Sequence, residues 1–151
     1  MALTCADTNF LYAVYDPAQG SLHVSALTLF ADLFEPTVNV LGLPWPIMYE
    51  TLNTRLARRP ESLARMNEHF TRLRLANRLL FMDDQPYRLV ETESLFAEVG
   101  RGAHYRPLSL VDRIVRRLIA VHSPKIEALV SINPGDFVDI CASRSCQILA
   151  F

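Results

Sequence analysis

Four carboxylates stand where they could do chemistry together: Asp7, Glu50, Asp112 and Asp136. Asp7 closes a short apolar run, Leu3 to Ala6, and is followed by Thr8 and Asn9. Asp-Thr-Asn is good turn chemistry, yet a polar group pressed against a buried run needs a partner. Glu50 lies in PWPIMYETLNTRL, off the packing face of Met48, Leu52 and Leu56; alone it reads as a solvated acid helped by a helix dipole. Asp112 lies in RPLSLVDRIVRRLIA, three residues after Ser109, a variant of the capping box. At about 100° per residue, the apolar face of that segment centres near Val111 and Val115. Asp112 falls on its border, where it can cap the helix and still face a cleft. Asp136, in ALVSINPGDFVDICASR, reads as an N-cap, with Ser131 and Asn133 just before it at a strand end. Each acid has an ordinary explanation. Taken together, all four fall just after a strand or in the first turns of a helix. Carboxylates crowded at one sheet edge raise each other's pKa unless a cation neutralises them. A hard divalent ion such as Mg²⁺ takes oxygen ligands, activates water and stabilises the charge of a phosphodiester transition state. Arg113, Arg116 and Arg117 take the face opposite Val111 and Val115, either as a solvated face or to hold a phosphate backbone.

These side chains need elements to place them. Leu3 to Ala6 reads as a buried first strand, with helical turns over residues 8–15. Ser21 suits an N-cap for a helix carrying Leu22, Ala26, Leu29, Phe30, Leu33 and Phe34, stopped by Pro36. Val38 to Leu41 reads as a second strand, Gly42, Pro44 and Pro46 as a turn, and Ile47 to Arg58 as a helix. Pro60 opens another helix, with a stripe of Leu63, Met66, Phe70 and Leu73 and with Arg65, Arg72 and Arg74 off it. Leu79 to Leu89 is irregular, and a small helix runs from Ser94 to Val99. Ser109 opens the clearest helix; Ile126 to Ile132 reads as a third strand, residues 133–136 as a turn, Phe137 to Ser143 as a short helix and Gln147 to Phe151 as a last strand. Strands alternating with helices predict a parallel α/β sheet, whose sites gather beyond the carboxyl ends of the strands.

A length of 151 residues suggests one domain, residues 1–151, with half of the residues hydrophobic. The net charge of −1 argues neither for nor against a nucleic-acid partner, so any basic patch must be local. No apolar stretch is long enough for a membrane span, and the first residues do not read as a signal peptide. Three cysteines without C-x-x-C spacing give neither a disulfide framework nor a zinc site, which makes a reducing cytoplasm the expected location. His23, His69, His104 and His122 show no ligand spacing, and Trp45 between two prolines reads as packing more readily than as base stacking.

The order of ADTNFLYAVYD, YETLNTRL, LSLVDRIVRRLIA and LVSINPGDFVDIC resembles the PIN-domain ribonucleases, and within them the VapC-like toxins of bacterial toxin–antitoxin pairs. The resemblance spans the chain; its opening and closing motifs are the specific parts. It departs at Ser131, where Thr is usual and the hydroxyl is kept, and residues 55–106 hold no signature. The resemblance implies a three-layer α/β/α sandwich with a central, mostly parallel sheet of four to five strands. It implies that Asp7, Glu50, Asp112 and Asp136 hold Mg²⁺ or Mn²⁺, supported by Thr8, Asn9, Ser131 and Asn133. It further implies a metal-dependent endoribonuclease, an RNA substrate, a homodimer and an antitoxin partner. Two other readings compete. A non-catalytic PIN-like module would bind RNA or protein without cleavage. A haloacid-dehalogenase-like phosphatase also opens with Asp after strand one but needs D-x-D, and Asn9 stands at the second position.

Overall fold

The apolar run at the start of the chain forms β1 (Leu3–Ala6), buried at every position, as a strand covered on both faces must be. In the computed structural model, which describes residues 2–35, 39–100, 102 and 108–151, β1 pairs in parallel with β2 (Val40–Pro44) on one side and β4 (Ala128–Val130) on the other. β3 (Leu79–Met82) lies outside β2, and β5 (Gln147–Leu149) lies outside β4. The order is β3-β2-β1-β4-β5 and every pairing is parallel. The chain therefore moves outward on one side of β1, then returns to build the other.

Seven α-helices connect the strands among the described residues: α1 (Thr8–Tyr15), α2 (Ser21–Phe34), α3 (Trp45–Leu52), α4 (Pro60–Leu75), α5 (Arg88–Val99), α6 (Leu110–Val121) and α7 (Val138–Arg144). α1 packs on α2, α3 and α4, and α6 packs on α5 and α7. Right-handed crossovers put these two groups on opposite faces of the sheet, since the strand order reverses between them. The result is the three-layer α/β/α sandwich of the PIN-like fold, with five strands. The core is continuous through the layers, from Phe10, Leu11, Val14 and Phe30 on one side, through Cys5, Leu41 and Leu129, to Ile114, Leu118 and Phe137 on the other. No helix among the described residues is long and apolar enough to cross a membrane.

Several boundaries differ from the sequence reading. Gly42 sits in the middle of β2 rather than in a turn, because a Cβ there would stand 3.0 Å from side-chain carbons of both Leu3 and Met82. Pro44 ends that strand, and Pro46 takes the first turn of α3, where a missing N–H costs nothing. The expected start of β2 at Val38, like the stop at Pro36, lies outside the described residues. Gly20, at φ +61°, caps α2 in place of Ser21, which becomes its first helical residue. The expected helix over 47–58 is two pieces: after α3 the chain breaks at Thr54, whose hydroxyl accepts from the Leu56 amide and starts a 3₁₀ turn over Arg55–Arg58. The irregular stretch after residue 79 resolves into β3, a 3₁₀ turn at Gln85–Tyr87 and α5, which starts at Arg88 and not at Ser94. The last two strands are shorter than expected at both ends or at one: β4 keeps only 128–130 and β5 only 147–149.

Candidate active site at the carboxyl edge of the sheet

The strand order reverses at β1, between β2 and β4, and there an α/β sheet opens a crevice beyond its carboxyl ends. Asp7 stands at that point. Its amide donates to Val130 O at 3.0 Å, which ties it to the end of β4. One carboxylate oxygen accepts the Thr8 amide at 2.7 Å and the other accepts the Ser131 hydroxyl at 2.8 Å. Ser131 Oγ in turn accepts the Asn133 amide at 3.1 Å. Asp7 caps α1 and is buried to 8% exposure. Burial pushes its pKa up. The bonds from Ser131 and Thr8 pull it down, and the charges of Asp112 and Glu50 push it up again, so that the carboxyl titrates above the usual aspartate range.

The other three acids come from three further elements. Glu50 stands on α3, exposed, and accepts the Thr8 hydroxyl at 2.5 Å. Asp112 belongs to the first turn of α6. Ser109 Oγ accepts the Asp112 amide at 3.0 Å and the Asp112 carboxylate accepts the Ser109 amide at 3.4 Å, so the capping box is formed and the carboxylate still reaches the crevice. α6 returns antiparallel to the strands, which is why its N-terminus arrives at their carboxyl edge. Asp136 ends the 3₁₀ turn Pro134–Asp136 after β4. Asp7, Thr8, Asn9, Glu50, Asp112, Asn133 and Asp136 all line one open cleft of about 490 Å³. Ser131 stands behind Asp7, and Asn9 presents an amide where a phosphatase of the D-x-D type would need an acid.

Asn53, Thr54, Ser109 and Phe137 also line the cleft and were not foreseen in it. The spacing Glu50–Asn53 is one helical turn, which does put both on the same face; Thr54 and Ser109 carry cap signals. The arginines of α6 are placed differently from the sequence reading. Arg113 is buried at 6% exposure, where it donates to Leu108 O and pairs with Glu98. Arg116 binds the two oxygens of Asp139 at 2.7 and 2.8 Å and Asp136 O at 2.6 Å. Arg117 pairs with Glu91 at 2.8 Å. A helical wheel sees only one helix. It cannot see that α5 and α7 flank α6 and bring acids to its polar face.

Among the described residues the side chains around the cleft offer a metal only oxygens, and no cysteine or histidine lines it. That set suits a hard divalent cation in kind. No group of three or more His, Cys, Asp or Glu side chains among the described residues stands in a geometry that would hold a metal ion as it is.

The sandwich itself is shared with solved structures. The chain superposes on the Mycobacterium tuberculosis toxin VapC20, which cleaves the sarcin–ricin loop, with a TM-score of 0.57 at 20% identity over 93% of this chain and 94% of that one. It also superposes on VapBC2 from Rickettsia felis, solved bound to a DNA fragment from its promoter, with a TM-score of 0.55 at 14% identity over 99% and 98%. At these identities the likeness is one of fold. No family model and no curated protein matches the sequence.

Proposed function

We propose that the chain is a metal-dependent endoribonuclease that acts as the toxin of a toxin–antitoxin pair. The observation that carries this reading is the convergence of Asp7, Glu50, Asp112 and Asp136, from four separate elements, on one cleft at the switch point of a PIN-like sheet. The fold shared with VapC20, a toxin that cleaves RNA, supports it. Nothing in the fold alone demands four acids there. Asp7, Glu50, Asp112 and Asp136 would hold Mg²⁺ or Mn²⁺, which would activate water and neutralise charge developing on a phosphodiester. The chain's own residues do the positioning. Ser131 and the Thr8 amide fix the Asp7 carboxylate from both sides, the Thr8 hydroxyl orients Glu50, and Ser109 holds Asp112 at its cap.

The test is cleavage of RNA by the purified chain with Mg²⁺ or Mn²⁺, against the Asp7→Asn variant. Cleavage that survives in a clean Asp7→Asn preparation would remove the assignment. The second reading, a non-catalytic module, draws on the absence of a metal-ready geometry among the described residues. Calorimetric titration with Mn²⁺ separates the two: a cleft that binds no metal and cleaves nothing belongs to the module. An antitoxin would be read from co-expression with the neighbouring gene, which should relieve toxicity.

The homodimer is part of the same proposal. α2 and α4 turn most of their apolar residues inward; of the large ones only Val24 and Leu75 stand well exposed. Trp45, Tyr49 and Leu52 on α3 and Phe81 on β3 are exposed instead and line one apolar hollow. We assign a second copy of the chain to that surface.

A further inference from the structure

A polyanion drawn to an acidic cleft needs cations outside it. The arginines of α6 are engaged with Glu98, Asp139 and Glu91. Arg88 is paired with Asp84, and Arg78 with backbone carbonyls of Phe34 and Asn39. A different group remains. Arg55, Arg58, Arg59 and Arg65 fall within eleven residues that contain Glu61 as the sole acid. Arg58, Arg59 and Arg65 line a pocket of about 400 Å³, with Tyr15, Glu61 and Ser62.

The pocket is joined to the cleft in two ways. Thr54 lines the cleft and Arg55 follows it directly, so the 3₁₀ turn Arg55–Arg58 runs from one to the other. α1 also connects them: Asp7 caps its N-terminus in the cleft and Asp16 its C-terminus. Eight residues at about 1.5 Å each make the span roughly 12 Å.

Two features separate this group from an ordinary solvated face. The first is a buried acid that holds two arginines in place. The Asp16 side chain is fully covered, and it accepts Arg55 Nη2 and Arg59 Nη1, each at 2.9 Å, while those arginine side chains stay 53% and 39% exposed. Arg55 Nε also donates to the Tyr12 hydroxyl at 2.6 Å. The second is that Arg58 and Arg65, both exposed, make no hydrogen bond or ion pair among the described residues, although Glu61 stands one turn before Arg65.

We propose that Arg58 and Arg65, flanked by Arg55 and Arg59, form the subsite for the phosphate backbone of the RNA whose scissile bond lies in the acidic cleft. Contacts of this kind set position and affinity without reading sequence. The inference rests on the ribonuclease reading and names where that substrate is held.

The test uses the full chain carrying Asp7→Asn, so that the probe survives, and a fluorescein-labelled single-stranded RNA followed by anisotropy over a range of salt. In that background Arg58→Gln with Arg65→Gln leaves the Asp16 network in place. Each lost phosphate contact lowers the slope of log K against log salt by about 0.7 for a single strand, so the pair should lower it by about 1.4. Affinity at low salt should fall roughly tenfold, with the thermal midpoint unchanged. The same affinity and slope in both proteins would overturn the subsite. So would an acidic peptide that competes for these arginines while RNA binding is untouched, since the surface would then belong to a protein. Failure of the wider reading looks different: the unsubstituted chain would cleave no RNA, while binding that depends on Arg58 and Arg65 persisted.

Discussion

α3 has two sides built on opposite rules. On the cleft side Glu50 and Asn53 face polar neighbours, and Glu50 accepts a hydroxyl from α1. On the other side Trp45 stacks on Phe81 at 4.7 Å and 14°, Tyr49 tilts against Trp45 at 6.2 Å, and Tyr49 stands 67% exposed. The cleft side keeps charge in place with fixed hydrogen bonds. The outer side leaves apolar surface without a cover in one chain, an arrangement that marks an interaction surface. The contrast separates two kinds of demand on the sequence: the first is met by neighbours a few residues away or across the sheet, the second, in the proposed dimer, by a second copy of the chain.

The largest effect is expected at the centre of the cleft. Asp7→Asn should lower RNA cleavage on the order of a hundredfold or more, the scale of losing one group that stabilises transition-state charge. The fold should stand. The carboxylate is buried beside Asp112 and Glu50 and titrates high, so its charge weighs against the native state at neutral pH without metal. The variant should then melt at the same temperature as the parent or higher. A variant that melts well below the parent would show that Asp7 is held for structure, and the contrast between the two sides of α3 would lose its polar half.

The next effect is removal of metal. Cleavage should stop in excess chelator and return with Mg²⁺ or Mn²⁺, because among the described residues the cleft offers a metal only oxygen ligands. Cleavage that continues unchanged in chelator would break the proposed chemistry and leave the fold assignment standing.

The apolar half of the contrast is tested on the outer side. Tyr49→Glu with Leu52→Glu puts two charges where a second copy would bury them, and should convert a dimer to a monomer by light scattering with little change in melting temperature. A parent that is monomeric across a wide concentration range would sink the dimer outright. A dimer that survives both charges would move the interface elsewhere.

What the sequence made legible follows the same division. The Leu3–Ala6 strand, Asp7 at its end and the Ser109–Asp112 capping box could be read because each is a local pattern with its own hydrogen bonds. The four acids could be grouped because α/β topology brings strand ends to one edge. Three things were hidden, all for reasons of tertiary context. Gly42 looked like a turn residue, yet it is a strand residue whose missing Cβ admits Leu3 and Met82. Arg113 looked solvated on its helix, yet α5 closes over it with Glu98. Apolar residues of α4 and α5 look alike in the sequence, and only the packing tells which of them are inside. Asp16, between Tyr15 and Pro17, carries no local signal of its role; its arginine partners lie 39 and 43 residues on, beyond any local pattern.

The smallest expected effect lies at that residue, which combines the two rules: a charge that is buried, yet fully paired. Burial alone would raise the Asp16 pKa, but hydrogen bonds from Tyr12, Arg55 and the Ala18 amide outweigh it and hold the carboxyl at about 2. An unfolded aspartate titrates near 3.9. The folded state therefore binds the proton less well than the unfolded chain. The stability that Asp16 contributes is fully present above about pH 4 and is lost as the pH falls through about 2. Asp16→Asn keeps the shape and removes the charge. A shift from about 3.9 to about 2 is on the order of 2–3 kcal/mol, so at pH 7 the melting temperature should fall by several degrees, at about 2–4 °C per kcal/mol in a chain of this size. The difference from the parent should hold down to about pH 4, shrink below it and vanish near pH 2. Arg55 and Arg59 lose their anchor in this variant, so RNA binding by the Asp7→Asn background should weaken as well, by less than in the Arg58 and Arg65 double variant. A melting difference that stays constant from pH 7 to pH 2 would show that the side chain acts by packing and not by charge. The arginine pocket would then lack the fixed acid that separates it from an ordinary solvated face.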